Sequence, residues 1–290
     1  MSSAMEAASS PYVAFWNDML AEKFERFRGI LTKGMSHHSR VPLDELSLPA
    51  GARVLDVGCG WGDTAIELAR MVGPEGYVLG VDCVDRFLDK GRRDAMTAGL
   101  DNVEFLAADV ETYPFAGGHD LCYSRFGMMF FGNPMAAMRN IAAALRPGGE
   151  LLFSVWRPID DNPWLRVGKE VVLDFVPAPG EDVRHCGPGP FSMSDPGLVR
   201  EQLQRAGLEP MEFRRLDGPV IVGHSVDEAV EFQLALGPAG EAFREAGELA
   251  ERRRGEIEQA LRHALAPYQQ DGRVVMPSSS WSITARKPTG

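Results

Sequence analysis

Apolar and polar positions change period several times along the chain, and the changes divide it into elements. Between Pro11 and about Met35, the residues Phe15, Trp16, Leu20, Phe24, Phe27 and Leu31 recur at helical spacing, which predicts one or two helices ahead of the first strand. From Arg53 onward the pattern alternates: strand over 53–57, helix over 63–72, strand over 76–81, helix over 84–98, strand over 103–107, and a fourth strand over 119–124. Short apolar strands separated by amphipathic helices predict parallel strands with crossover helices. Pro134 suits a first helical turn, and Met135, Met138, Ile141, Ala142 and Leu145 form one apolar face. Pro147, Gly148 and Gly149 then stop that helix before a fifth strand over 150–156.

Beyond Trp156 prolines become frequent, yet 164–175 keeps a helical apolar period. A helix over 195–206 ends at Gly207, where a left-handed stop is expected. Another strand is expected to begin over 210–215, and 283–286 would be the last strand. The stretch 226–266 reads as mostly helical, with Glu241, Arg244, Glu248, Glu251, Arg252 and Glu258 around a thin apolar stripe, the pattern of a solvated helix face. The expected fold is α/β, a Rossmann-like, doubly wound, mostly parallel seven-stranded sheet with a helical N-terminal lid and helical insertions. Its expected parts are a lid over 1–40, a ligand-binding core over 41–157, an insertion over 158–200 that helps form an acceptor pocket, and the rest of the sheet over 201–290 with the helical insertion 226–266.

Composition narrows the function classes. The chain has 290 residues, 44% of them hydrophobic, enough for a substantial core. Its 30 basic and 41 acidic side chains give a formal charge of −11, which repels phosphate backbones and anionic lipid headgroups. Cys59, Cys83, Cys122 and Cys186 show no paired spacing, so neither a zinc knuckle nor a disulfide scaffold is indicated, and a reducing cytoplasm suits them. Residues 1–10 are small and polar, with neither the basic start nor the apolar stretch of a signal peptide, and are expected to be a frayed tail. No apolar run has the length a membrane helix needs.

The densest chemical signal lies between Val54 and Asp82. Glycines 58, 60 and 62 follow a strand and open a helix, and the next strand ends in the carboxylate of Asp82. Glycines there let the backbone turn and let a ligand approach without a Cβ in the way. Dinucleotide sites space their glycines G-x-G-x-x-G and rest a pyrophosphate on the helix N-terminus. Here the spacing is G-x-G-x-G, and Asp56 and Asp63 flank the loop. Two carboxylates repel a pyrophosphate but suit a ligand carrying an ammonium and a sulfonium, as S-adenosylmethionine does. Asp82 would accept from ribose hydroxyls in either cofactor class.

At these residues the chain resembles the class I S-adenosylmethionine-dependent methyltransferases. Residues 54–62 match their first motif, Val81 and Asp82 their ribose acid, Ala108, Asp109 and Val110 the adenine-bracketing group after strand three, and Leu145 to Gly149 their last core motif. The resemblance implies S-adenosyl-L-methionine as cofactor and S-adenosyl-L-homocysteine as product. It implies that Asp56, Gly58, Cys59 and Gly60 lie at the methionine end, Asp82 and Cys83 at the ribose and adenine, and Asp109 at the adenine amino group, with Ser124 and Arg125 edging the sulfonium. The stretches 123–131, 156–158 and 162–164 resemble the bacterial small-molecule branch near the quinone-biosynthesis methyltransferases.

In such a fold ligands sit at the carboxyl ends of the strands, so Phe15, Trp16, Phe126, Met128, Met129, Trp156 and Trp164 are expected to wall an apolar or aromatic acceptor pocket. The sulfonium is already a good leaving group, so a base is needed only for a protonated acceptor; His38, His37 and His185 are the candidates, His38 first. Asp160, Asp161 and Asn162 follow strand five, but Ser124 and Arg125 offer no acid after strand four, so no metal is expected. The expected activity is methyl transfer to oxygen or carbon of a small, largely apolar acceptor, natural-product or quinone-like. N-methylation of a small amine, an NAD-dependent oxidoreductase and a non-catalytic partner subunit are the alternatives. The expected setting is cytoplasmic, without nucleic-acid partner or membrane insertion, and with a homodimer left open.

Overall fold

A computed structural model describes residues 11–180 and 189–290. Five parallel strands, β1 (Arg53–Val57), β2 (Tyr77–Asp82), β3 (Val103–Ala107), β4 (His119–Arg125) and β5 (Leu145–Trp156), form one side of the sheet. The other side is a long ribbon of β6 (Glu209–Gly223) and β8 (Arg273–Arg286), to which the two-residue β7 (Gln269–Gln270) is hairpinned. The order β3-β2-β1-β4-β5-β8-β6 is that of a doubly wound sheet, and β8 is antiparallel to both neighbours.

Residues 54–57 of β1 are buried without interruption because helices cover both faces. Alternate side chains divide accordingly. Val54, Leu121, Tyr123 and Leu152 join one core cluster, and Leu55, Val57, Cys122 and Phe153 the other.

Three short helices, α1 (Pro11–Phe15), α2 (Ala21–Arg26) and α3 (His37–Glu45), precede the sheet, and wide π turns occupy Trp16–Leu20 and Ile30–Gly34. The crossovers are α4 (Asp63–Val72), α5 (Asp85–Thr97) and α6 (Pro134–Ala144). Next come α7 (Pro163–Leu173) and α8 (Pro196–Arg205). Four helices, α9 (Val226–Ala235), α10 (Gly237–Ala246), α11 (Glu248–Arg252) and α12 (Arg254–Leu265), link β6 to β7. Among the described residues no helix is long and apolar enough to cross a membrane.

Four elements differ from the sequence expectation. Strand β5 starts at Leu145, directly after α6, so Pro147, Gly148 and Gly149 lie within it, and its pairing with β4 slips between His119 and Leu121. The β6 and β8 strands span 15 and 14 residues, far beyond the apolar tips that announced them. The middle of β8 escapes a hydrophobic pattern because its buried positions there are serines, Ser278, Ser279, Ser280 and Ser282. Helix α3, which begins at His37 and His38, lies beyond the helical pattern that ends near Met35. Pro42 inside that helix cannot donate to the His38 carbonyl four residues back, and Ser154 of β5 donates its hydroxyl to that oxygen instead, at 3.3 Å.

Candidate active site

The loop after β1 is shaped by its contacts. Gly58 has φ +68°, and a Cβ there would lie 3.0 Å from the Cα of Gly127, so the loops after β1 and β4 touch backbone to backbone. Ser124 fixes the crossing by donating to the Val57 carbonyl at 2.7 Å. Gly58 and Cys59 donate their N–H groups to the Val81 carbonyl at 2.8 and 3.0 Å. Asp82 accepts from the N–H of Gly60 on one oxygen and from that of Val84 on the other, each at 2.9 Å. Burial raises its pKa, against the lowering effect of these backbone donors.

Asp56 lies beneath this loop, fully buried. Thr64 donates to one carboxylate oxygen at 2.6 Å, and the other oxygen has no hydrogen-bond partner. Burial pushes its pKa up to about 7; the Thr64 hydrogen bond and Arg125 oppose this, while Asp63 and Asp82 add to it. Asp63 pairs with Arg125 at 2.9 Å. Burial disfavours the Arg125 charge, but Asp63, Tyr123 and Asp56 outweigh it and hold its pKa above the ordinary value. The acidic flanks therefore differ in function: Asp63 is neutralised within the protein, and Asp56 keeps a buried oxygen without a partner.

One cavity of about 690 Å³ runs from this loop into the helical elaborations. Its wall includes Gly58, Cys59, Gly60, Asp82, Cys83, Ala108, Asp109, Val110 and Arg125. Two residues proposed for the cofactor, Asp56 and Ser124, stand behind that wall. Of the expected acceptor group, Trp16, Phe126, Met129, Trp156 and Trp164 face the cavity. Met128 is packed into the main core, and Phe15 packs with the cluster around Trp16 and Trp61; neither is part of the lining. Phe126 has a left-handed backbone, φ +60°, unusual outside glycine, and its ring stacks on Trp156 with centroids 4.0 Å apart.

Helices α9 and α10 also reach the cavity, through Phe232, Leu236, Pro238, Glu241 and Arg244. This corrects the reading of the whole 226–266 stretch as a solvated face. The buried Ala229, Val230, Phe232 and Gln233 of α9 and Ala239, Ala242 and Phe243 of α10 were the available signal. Trp61, another lining residue, packs on Phe87 at 4.7 Å.

The histidines are placed elsewhere. His38 is fully buried, with Nδ1 2.8 Å from the Ser280 hydroxyl and Nε2 2.6 Å from that of Ser278. Ser278 donates to the Gly218 carbonyl at 2.7 Å, so Nε2–H donates to Ser278 and Nδ1 accepts from Ser280. The ring touches Trp156 from behind, at 5.0 Å, and is absent from the cavity wall. His37 lies against β6, its Nε2 3.1 Å from the Asp217 carbonyl. The structure thus brings neither His38 nor His37 to the cavity, because both are committed to the β6/β8 ribbon; His185 lies outside the described residues. Asn162, one of the oxygen donors weighed for a metal, is fully buried and spends its amide on five hydrogen bonds. Among the described residues no group of three or more His, Cys, Asp or Glu could hold a metal ion.

Two buried groups give opposed pH dependences. Burial, aided by His37 and opposed by Asp217, lowers His38 to about 4, so its contribution to stability is present above its unfolded value of 6.5 and is lost as pH falls towards 4. Asp56 is raised, so its contribution is present below 3.8 and is lost as pH rises through about 7. Between about pH 4 and 6.5 the two slopes nearly cancel. Asp56→Asn is expected to make urea-unfolding stability rise more steeply with pH over that window than in the parent, and His38→Gln to make it fall. Parallel profiles for all three proteins would refute both assignments.

A general methyltransferase-domain family model matches residues 54–149, the stretch from β1 to the start of β5. The ubiquinone/menaquinone biosynthesis C-methyltransferase UbiE of Pseudomonas putida is 26% identical over 215 residues, covering 71% of this chain and 84% of that protein. Its counterpart in Hahella chejuensis is 28% identical over 225 residues, covering 74% and 90%. Among solved structures, a methyltransferase-like protein of Bacillus halodurans superposes with a TM-score of 0.55 at 22% identity, over 86% of this chain and 98% of that one. The YcgJ protein of Bacillus subtilis gives 0.59 at 19%, over 88% and 100%. These two structures establish the fold, while the domain match and the sequence relatives carry the activity. The domain match and these relatives support an S-adenosylmethionine-dependent methyltransferase, similar in sequence to the quinone-biosynthesis enzymes.

Proposed function

We propose that this methyltransferase moves the methyl group of S-adenosylmethionine to oxygen or carbon of a small, largely apolar or aromatic acceptor, of the quinone-like kind that the names of its relatives describe. The observation that carries this reading is the continuity of the cavity: the glycine loop and Asp82 form one part of its wall, and Phe126, Trp156, Trp164 and Phe232 form another. Donor and acceptor would therefore meet inside one enclosure.

The residues present fit the cofactor. Asp82 and Cys83 would hold the ribose edge, Ala108, Asp109 and Val110 the adenine, and Gly58, Cys59 and Gly60 the methionine chain. Beneath them, the unpartnered oxygen of Asp56 supplies negative potential suited to an ammonium or sulfonium. Ser124 would act one layer back, through its bond to the Val57 carbonyl, and Arg125 through its pair with Asp63. When bound, the cofactor supplies an electrophilic methyl group on a sulfonium leaving group. The chain then has two tasks, to align the acceptor atom and to exclude water, and the apolar wall suits both. With His37 and His38 committed elsewhere, neither would serve as the base; alignment and desolvation would carry much of the acceleration, and an acceptor carbon or an already acidic hydroxyl suits such a site.

Incubation with S-adenosylmethionine and a panel of hydroquinones, phenols and amines, followed by mass spectrometry, tests the proposal. S-adenosylhomocysteine together with singly methylated quinols or phenols is expected; methylation confined to amines would overturn it.

A further inference from the structure

The wall built by α7 and α10 carries charge into the aromatic part of the cavity, away from the glycine loop. Both helices pack on each other; α7 also packs on α12 and α10 on α9. Lys169 of α7 and Arg244 of α10 line the cavity alongside Trp164, Leu165 and Leu236. Lys169 is half-buried, and no carboxylate among the described residues pairs with it. Arg244 bonds its sequence neighbour Glu245 through Nε at 3.1 Å and Nη2 at 2.8 Å. Lys23 of α2 lies close enough that Arg244 adds to the effect of burial in lowering its pKa. Glu241, one turn before Arg244, is the acid on the same wall. Three cations against Glu241 and Glu245 make this region basic in a chain whose net charge is −11. Cations facing an apolar enclosure lose hydration and gain most from an anion that enters with its own apolar body.

Building on the proposed methyl transfer to an apolar acceptor, we infer that the acceptor is amphipathic: it carries a carboxylate remote from the methyl-accepting atom, and Lys169 and Arg244 receive that group on the α7/α10 wall. The guanidinium keeps its Nη1 side for the carboxylate while Nε and Nη2 hold Glu245, the ammonium of Lys169 adds a point charge, and the aromatic wall between them and the glycine loop holds the body of the molecule. Such an arrangement would fix which end of the acceptor enters first, and so which atom meets the methyl group.

Two probes of equal shape, phenylhexanoate and phenylhexanol, test the inference by quenching of tryptophan fluorescence with S-adenosylhomocysteine saturating, since Trp16, Trp156 and Trp164 line the cavity. The acid is expected to bind about tenfold more tightly than the alcohol, the scale of a charge-assisted hydrogen-bonded pair. The double variant K169Q/R244Q is expected to lose that preference while keeping its affinity for the alcohol. Equal binding of acid and alcohol by the parent protein, or a preference that survives in the double variant, overturns the inference; so does binding of neither probe. Equal binding leaves the methyl-transfer reading standing, because that reading is decided by the products formed from quinols and phenols. Should the double variant fail to fold, the parent's acid-to-alcohol ratio decides alone.

Discussion

Asn162→Ala is expected to destabilise the protein by about 3–5 kcal/mol, from roughly 1 kcal/mol for each buried hydrogen bond lost. The side chain is fully buried between β5 and α7. Its amide nitrogen donates to the carbonyls of Arg157, Pro158 and Ser279 at 3.0, 3.2 and 3.0 Å. Its oxygen accepts from the Ser279 N–H at 2.9 Å and from the Trp164 indole at 3.1 Å. Alanine strands these groups away from water, and a stranded donor costs more than the bond it lost. Asn162→Asp keeps the accepting oxygen but replaces the donating nitrogen with a second oxygen, which cannot donate to the three carbonyls it faces, so it should be no better. Because Trp164 forms part of the cavity wall, its fluorescence should change in the folded variant as well. A loss below about 1 kcal/mol in urea unfolding would show that water or backbone movement satisfies these groups.

Asp82→Ala should weaken S-adenosylhomocysteine binding by about 1.5–3 kcal/mol, roughly ten- to a hundredfold in Kd, the range for hydrogen bonds to a charged group. The same carboxylate holds the Gly60 and Val84 N–H groups, so the alanine variant also frees the loop that would cradle the methionine chain. Calorimetry reads the affinity directly. An unchanged Kd would remove Asp82 from the ribose, whereas a loss confined to adenosine-containing ligands, with thermal stability kept, supports the assignment.

The five parallel strands and the glycine loop were legible in the sequence because every relevant force acts locally there. Residues 54–57 are buried on both faces and so read as an uninterrupted apolar run, and Gly58 and Gly62 announce a backbone that other residues resist. The β6/β8 ribbon was read only at its tips, since Ser278 and Ser280 are buried by virtue of His38, a partner some 240 positions away. The same separation hid the fate of His38: a histidine near the site was visible, its two serine partners were not. On α10 a charged stripe looked solvated because sequence period marks a face without saying what covers it, and Glu241 and Arg244 turned out to face a cavity. The backbone of Phe126 carried no local signal, since its ring stacks on Trp156, a partner thirty positions away.

The cavity's two ends have different origins along the chain. One is drawn from a single stretch, Gly58 to Arg125; the other gathers an N-terminal segment, the residues just after β4, the region after β5 and the helices after β6. An engineer could therefore treat them as separate modules, exchanging α9 and α10 or the segment before α3 to admit new acceptors while the donor module stays untouched. Libraries confined to those appended pieces should yield altered selectivity at far less risk to methyl-donor binding than libraries spread over the whole lining.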